Sequence, residues 1–333
     1  MSEPIFAVFR PKAALAAAVA GLLASAAPAA AEQWDMPTAY GAGNFITQAY
    51  IAFAEDVRER TGGEIDITVH PGGSLYGGSE ILRAVREGQV PIGARFLGAH
   101  SAEAPIFGLD TVPFLATNAA EARALYDASR PALEAALEER GLKLLFAPIW
   151  PPQGLFVNSE VTTIEDMEGK RFRAYDPSTT RLAELMGAVP TRTEASEIAQ
   201  AFSTGMAESM MASGAIGVFQ KIWDYVDYFY LVNAWLPKSV VLVNLDTWNG
   251  LDEETQTALM EAAAQAEAAV WQEMETVNQG YIDTMREAGM TVEEPSAELA
   301  ESLKSIGDTM VDEWVESAGD EGASVIEAYR AAQ

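Results

Sequence analysis

Cysteine is absent from this 333-residue sequence, and histidine occurs only twice. Without cysteine there can be no disulfide bond, no thiolate nucleophile and no cysteine-ligated zinc. The fold must therefore be stabilised by a large apolar core, and a chain of this length would normally divide into two lobes. We expect His70 and His100 to be solvent-facing loop residues, which would make a poor metal site. We therefore expect neither a cofactor nor a bound metal.

Basic residues are also scarce. The chain has 21 Lys and Arg against 49 Asp and Glu, a formal net charge of -28. Such a chain repels phosphate backbones and anionic lipid, so we expect no nucleic-acid partner and no binding to membrane surfaces. An anionic ligand would need local positive charge to overcome this field. A saline habitat would explain the same composition, and the sequence leaves both explanations open.

Long apolar runs are missing except at the start of the chain. Arg10 and Lys12 precede an apolar run, residues 13–27, and Ala29–Ala31 gives a small-x-small cleavage pattern. The run is too short and too rich in alanine for a convincing membrane span. We therefore predict that residues 1–31 are a secretory signal, that the mature chain starts near Glu32, and that it is exported to the periplasm without inserting into the membrane. No cysteine follows the run, which excludes a lipid anchor.

The motifs of common enzymes are missing as well. The sequence has no Gly-x-Ser-x-Gly elbow, no His-Glu-x-x-His helix and no Walker loop. Its paired acids, such as Glu253-Glu254, are typical of helix starts, where carboxylates interact favourably with the helix dipole. We predict that the protein is not an enzyme, although a carboxylate-based periplasmic hydrolase stays open as an alternative.

The pattern of apolar residues predicts alternating strands and helices. Residues 65–70 alternate as a strand, residues 79–87 form a helix that stops at Gly88, and residues 90–97 are typical of a buried strand. This order indicates an α/β fold with crossover helices. Asp252 caps a helical pattern that runs to about residue 288, which would be roughly 50 Å long.

One stretch, Trp150–Tyr175, organises the rest of the chain. Two prolines, Pro151 and Pro152, require the chain to leave one element and enter another. The stretch ends in a strand-like segment in which Arg173 stands beside aromatic residues. A guanidinium there could grip a carboxylate with two parallel hydrogen bonds. The alternative is a structural ion pair with a surface glutamate.

Eight short strings follow one another in register along the mature chain: residues 53–67, 70–75, 81–90, 112–115, 150–154, 166–173, 200–205 and 234–238. Together they resemble the solute-binding proteins of tripartite ATP-independent periplasmic (TRAP) transporters. The resemblance covers the whole mature chain. It implies a two-lobe periplasmic binding fold of the α/β class, with a ligand cleft between the lobes and a long helix spanning both.

The resemblance also implies lobe boundaries and partners. Lobe I would comprise residues 32–150, with about 239–275 returning to it. Lobe II would comprise residues 151–238, with about 276–333 packing on it and across both lobes. The expected partners are a small organic acid and the TRAP membrane subunits, which receive the acid after the lobes have closed on it. A receptor of the same fold that serves a signalling partner is the first alternative.

The family's carboxylate-binding arginine falls on Arg173. Its second polar ligand position falls on Gln153, where many members have arginine, so a second anionic group on the ligand is in doubt. A frequent asparagine position holds Ala212 here, with Ser213 beside it and Met210 nearby. The pocket thus resembles one for a monocarboxylate with an apolar or aromatic body.

Other residues are expected to complete this pocket. We expect Asn44 and Ser213 to orient the ligand, although turn chemistry explains both about as well. An aromatic wall would be supplied by Tyr175, Trp150 and Trp235, although aromatic residues are more often core or hinge packing.

Overall fold

The computed structural model describes residue 1 and residues 31–332. The predicted signal segment therefore lies outside the described residues, apart from its two end positions. The described strands are β1 (Glu32–Pro37), β2 (Ile65–His70), β3 (Ile92–Phe96), β4 (Leu142–Phe146), β5 (Gln153–Val157), β6 (Arg171–Ala174), β7 (Val189–Arg192), β8 (Ser209–Ser213), β9 (Tyr228–Tyr230), β10 (Ser239–Asn244) and β11 (Thr291–Glu293). The described α-helices are α1 (Phe45–Arg60), α2 (Ile81–Arg86), α3 (Ala119–Glu138), α4 (Pro177–Leu185), α5 (Ile198–Ser203), α6 (Gly214–Phe219), α7 (Leu245–Gly250), α8 (Glu253–Glu287) and α9 (Ala297–Ala331). Short 3-10 segments join them, at Gly78–Glu80, Leu97–His100, Pro105–Thr111, Ile164–Met167, Ala195–Glu197 and Ile222–Asp224. The predicted α/β class is confirmed.

The strands form three sheets in the described part of the chain. Strands β1 and β2 pair in parallel, and β10 lies antiparallel between β3 and β4. An isolated bridge from Thr38 to Ala94 connects the first sheet to the second. The third sheet has six strands in the order β11-β9-β5-β8-β6-β7. The strands before Trp150 and those after it thus lie in different sheets, with the exception of β10, which follows Trp150 but pairs with β3 and β4.

Two chain segments cross between these sheets side by side. The first leads from β4 to β5 and the second from β9 to β10. The amide of Trp150 donates to the carbonyl of Pro237 at 2.8 Å, and that of Gln153 donates to the carbonyl of Trp235 at 2.9 Å. In return, the amide of Ala234 donates to the carbonyl of Gln153 at 2.9 Å. The two prolines of the first crossing have no amide hydrogen to place in this ladder, and the crossings form a two-stranded connection.

Helix α8 extends along both halves of the molecule, and the predicted cap and length are confirmed. Asp252 accepts a hydrogen bond from the Thr255 amide at 2.8 Å, and the helix runs for 35 residues. Its buried Glu267 accepts from the Tyr126 hydroxyl at 3.2 Å and from the Ala147 amide at 2.8 Å, which fixes α8 to helix α3 and to the first crossing. Near its other end, Met285 packs in the apolar cluster beneath the six-stranded sheet.

Helix α9 also contacts elements on both sides of the crossings. The Trp314 indole donates to the carbonyl of Pro105 at 2.9 Å, and Arg181 of α4 forms an ion pair with Glu313 at 2.7 Å. The helix is broken at Gly319, where φ is 61° and ψ is -148°. This region of backbone conformation is open almost only to glycine. The break divides α9 into two helical segments, one before and one after Gly319.

Sheet membership supports the predicted lobe boundaries, which remain our proposal. The sheets on one side contain β1 to β4 and β10, while the six-stranded sheet contains β5 to β9 and β11. The largest apolar core cluster is continuous across the crossings and includes Phe146, Leu155 and Trp235. The described chain from Ala31 onward packs as one compact unit.

Candidate functional site

A cavity lies between the two groups of sheets, with the crossings as its floor. Trp150, Gln153 and Pro237 of the crossings line it. One wall comes from the side of the three-stranded sheet: Ala39, Tyr40, Arg95, Phe96 and Ala99. The opposite wall comes from the side of the six-stranded sheet: Arg173, Tyr175, Glu194, Ala195, Ala212, Ser213 and Ile216. The cavity therefore touches both halves, as ligand-driven closure requires.

Arg173 enters the cavity from strand β6 and is 4% exposed. Its Nε donates to the carbonyl of Thr193 at 3.1 Å, and its Cζ lies 4.9 Å from the centre of the Tyr175 ring. The two terminal nitrogens make no hydrogen bond or ion pair within residues 31–332. Burial lowers the pKa of Arg173 from its usual value, while the nearby Tyr175, Tyr40 and Glu194 raise it. The guanidinium is thus held by the hydrogen bond from Nε and by its position over the Tyr175 ring. Its two terminal nitrogens are free to bind an anion.

Gln153 begins strand β5 on the cavity floor and is 5% exposed. Its Nε2 donates to the carbonyl of Pro151 at 2.8 Å, two residues back along the chain. Its Oε1 makes no hydrogen bond within the described residues. A side chain that is anchored through its donor presents its acceptor, so Gln153 offers the cavity a carbonyl oxygen.

Two buried hydroxyls complete the polar part of the cavity. The Oγ of Ser213 and the hydroxyl of Tyr175 have no hydrogen-bond partner within residues 31–332. Burial raises the pKa of Tyr175 far above its usual value, so this hydroxyl stays protonated. The Trp235 indole nitrogen approaches the Tyr175 hydroxyl and opposes this rise in pKa, but the pair does not reach hydrogen-bond geometry. Unpaired buried hydroxyls are costly, which favours a polar ligand group beside them.

The remaining surface is apolar and aromatic. The Trp150 indole donates to Ser239 Oγ at 2.9 Å, which fixes the ring, and its centre lies 4.6 Å from that of Tyr40. On the other side, Tyr175 meets Phe96 edge to face at 5.4 Å, so these two rings join the opposite walls. The cavity thus combines a few oriented polar groups with a mostly apolar lining, as is typical of small-molecule sites.

Three of the predicted ligand-binding residues do not line this cavity. Asn44 caps helix α1, where its Oδ1 accepts from the Ile46 amide at 3.0 Å. Met210 is fully buried in the cluster beneath the six-stranded sheet. Trp235 is 1% exposed and packs in the main core. The position of Asn44 is therefore explained by its role in the turn before α1. The positions of Met210 and Trp235 are explained by core packing.

The sequence did not single out Arg95 and Glu194, which both line the cavity. Arg95 projects from β3 at 5% exposure, and its Nη2 lies 3.7 Å from Glu194 Oε1. The sequence could have identified Arg95 as a candidate, because it is the one charged residue in the apolar run Val90–Leu97. Nothing local in the sequence marks Glu194.

The prediction of solvent-facing loop positions for the histidines is wrong in part: the His100 side chain is only 15% exposed, and His70 lies in a strand, although its side chain is 28% exposed. The His100 ring is largely buried between Arg95, whose Nε donates to its Nε2 at 3.3 Å, and Glu103, whose Oε1 lies 3.0 Å from its Nδ1. Burial and the charge of Arg95 lower the pKa of His100. His70 ends strand β2 rather than lying in a loop, and its Nε2 lies 2.7 Å from Asp35 Oδ1.

Comparisons with known proteins agree with this geometry. Residues 38–317 match the family model described as bacterial extracellular solute-binding protein, family 7. An extracytoplasmic solute receptor from Bordetella pertussis, solved as a pyroglutamic acid binder, is 41% identical with a TM-score of 0.89, and the match covers 90% of this chain and 100% of that one.

Two further relatives come from other sources. A TRAP solute-binding protein from a marine metagenome, solved with co-purified pyroglutamate, is 39% identical with a TM-score of 0.89 over 90% of this chain and 99% of that one. The C4-dicarboxylate-binding periplasmic protein of Rhodobacter capsulatus is 27% identical over 89% of this chain and 88% of its own length. The predicted resemblance and the two-lobe fold are confirmed. In the described residues, no helix has the length and apolar character needed to cross a bilayer.

Proposed function

We propose that this chain, which belongs to the bacterial extracellular solute-binding proteins of family 7, binds pyroglutamate or a monocarboxylate of similar size and shape. As a TRAP solute receptor it would close on this acid and deliver it to the membrane subunits of its transporter. The main support is the buried guanidinium of Arg173, whose two terminal nitrogens face the cavity without a protein acceptor within the described residues.

The polar groups of the cavity suit the functional groups of pyroglutamate. The carboxylate would accept two parallel hydrogen bonds from Arg173. The ring carbonyl needs a donor, which the hydroxyls of Ser213 and Tyr175 supply, and the ring N–H needs an acceptor, which Oε1 of Gln153 supplies. The ring methylenes would lie against Trp150 and Ile216. Every polar group of the ligand thus has a buried partner, as tight binding in a dry site requires.

The proposed role is capture and release without chemistry. The family is one of transport proteins rather than enzymes. We propose that the bound acid leaves unchanged, which sets this protein apart from a periplasmic hydrolase. Mass spectrometry of the ligand after prolonged incubation with the protein would test this, and any covalent change in the acid would contradict it.

The proposed location is the periplasm, after removal of residues 1–31. The family is extracytoplasmic. N-terminal sequencing of protein recovered from the periplasmic fraction should yield a start near Glu32.

The decisive test of the ligand site replaces Arg173 with methionine, which keeps most of the side-chain volume and removes the charge. Calorimetric titration with pyroglutamate should show affinity reduced roughly 100-fold, because losing one partner of a buried charge pair costs about 2–5 kcal/mol. The matched control is Arg171→Met on the same strand, whose side chain is 50% exposed and paired with Glu208. Near-normal binding by the Arg173 variant would contradict the proposal.

A further inference from the structure

Three charged side chains line the cavity in the described residues: Arg95, Arg173 and Glu194. Arg173 has no carboxylate of these residues within ion-pair distance, whereas Arg95 faces Glu194 with 3.7 Å between Nη2 and Oε1. Arg95 is 5% exposed, and the Glu194 side chain is 37% exposed. The pair joins the two walls, because Arg95 lies on β3 and Glu194 follows β7.

The space around this pair fits its two side chains closely. A Cβ atom on Gly78 would lie 2.8 Å from Nη1 of Arg95 and 3.0 Å from Oε2 of Glu194, so a larger residue there would displace them. The Glu194 carboxylate has no hydrogen-bond partner within residues 31–332, and its contact with Arg95 is an ion pair at 3.7 Å. Its charge therefore acts on Arg95 and on the cavity.

We propose that Glu194 sets the charge of the ligand that this cavity accepts. Because Glu194 balances Arg95, Arg173 is the one cavity-lining cation of the described residues that has no lining carboxylate within ion-pair distance, and the cavity therefore selects a monoanion over a dianion. A charge buried in a closed site needs an opposite charge, since desolvation is otherwise uncompensated. The buried Asp176 stands behind Arg173, accepts from Thr179 and does not line the cavity. This inference rests on the proposed function, because it assumes that the cavity is the ligand site.

The test is a set of charge variants titrated with two acids that each have five carbons. Pyroglutamate is a monoanion and glutarate is a dianion at neutral pH. The variants are Glu194→Gln, Arg95→Gln and the double variant with both changes. The control is Glu301→Gln, an exposed residue of α9 that removes the same global charge far from the cavity. Thermal melts without ligand confirm that each variant is folded.

We expect Glu194→Gln to shift the ratio of the two affinities towards glutarate by about tenfold or more, because a second cavity cation is then uncompensated. Arg95→Gln should weaken both acids, since it leaves the Glu194 carboxylate unbalanced. The double variant restores one net positive charge, so its ratio should return close to that of the native chain. The Glu301 control should leave the ratio unchanged.

A purely structural role for the pair would give a different pattern. It predicts that both single variants and the double variant weaken the two acids in parallel, with no change in ratio, and this result would overturn the inference. A double variant that keeps the full shift of Glu194→Gln would also overturn it. Failure of the proposed function is distinguishable, because the native chain would then bind neither acid and Arg173→Met would change nothing.

Discussion

The buried carboxyl of Asp176 ionises at a higher pH than an ordinary aspartate. Burial raises its pKa to about 6, although hydrogen bonds from Thr179 and the charge of Arg173 oppose the shift. One oxygen accepts from the Thr179 amide at 2.7 Å and caps helix α4, while Oδ2 has no partner in the described residues. The folded state therefore retains a proton that the unfolded chain releases near its usual pKa of 3.8.

This difference predicts that Asp176 makes the protein less stable as the pH rises from 5 to 7. Over that window the folded state binds more protons than the unfolded state, so the free energy of unfolding falls, by about 1 kcal/mol from this group. Asp176→Asn keeps the capping oxygen but cannot titrate, and it should remove this part of the pH dependence. Urea unfolding of both proteins at pH 5 and pH 7 measures the difference.

The control for this measurement is Asp308→Asn, an exposed residue of helix α9. It should show the same pH dependence as the native chain. Equal slopes for the native protein and the Asp176 variant would contradict the assigned titration.

At the scale of single residues, the sequence predicted some of the residues that line the candidate site and missed others. Arg173, Gln153, Tyr175, Ser213 and Trp150 all line the cavity. The family resemblance indicated Arg173, Gln153 and Ser213, whereas Tyr175 and Trp150 were predicted as parts of an aromatic wall. Glu194 could not be found, because its meeting with Arg95 joins strands about a hundred residues apart in the chain, and neither residue's local sequence indicates the other.

At the scale of elements, the break in helix α9 offers a direct comparison of two glycines. Gly319 has a positive φ of 61°, whereas Gly280 lies exposed within helix α8, where a Cβ atom would meet no other atom within 4 Å. Gly319→Ala should destabilise the protein by about 1–3 kcal/mol, since an L side chain is strained in that conformation. Gly280→Ala should stabilise it by about 1 kcal/mol, because alanine favours the helix.

Chemical denaturation of the two variants beside the native chain would measure both changes. Opposite signs are the expected result. A stabilising or neutral effect of alanine at Gly319 would show that the break between the two terminal helices is not required by the fold.

Elements whose signals are local were predictable to within a few residues. Asp252 caps α8 as expected, because a side chain that accepts from the amide three residues on is a short-range contact. The pairing of β10 between β3 and β4 was not predictable from periodicity, because nothing local determines which distant strand a strand will join. Only the family resemblance indicated that the chain returns to lobe I at about residue 239, where β10 begins.

At the scale of the whole molecule, the acidic surface should slow the approach of an anionic ligand. The formal net charge of -28 repels a carboxylate at long range, while the attraction of Arg173 acts inside the cavity. Raising the ionic strength from about 0.01 M to about 0.15 M shortens the screening length from roughly 30 Å to about 8 Å. The association rate of pyroglutamate should therefore rise with salt.

Stopped-flow tryptophan fluorescence can measure this rate, because Trp150 lines the cavity. Pyroglutamide, which has no charge, should associate at a rate that changes little with salt. An association rate for the acid that falls with salt would mean that the arginines dominate the field outside the cavity as well.

The paired crossings fix which ligand contacts form first. We expect closure to rotate the two groups of sheets about the paired crossings, which are joined by the hydrogen bond from Trp150 to Pro237, so displacement would increase with distance from this ladder. Gln153, on this ladder, should keep nearly the same position whether the protein is open or shut, whereas the distant rims travel furthest. The acid would then bind first to residues that hardly move. Its residence time would depend on how long the rims of the two halves stay closed over it.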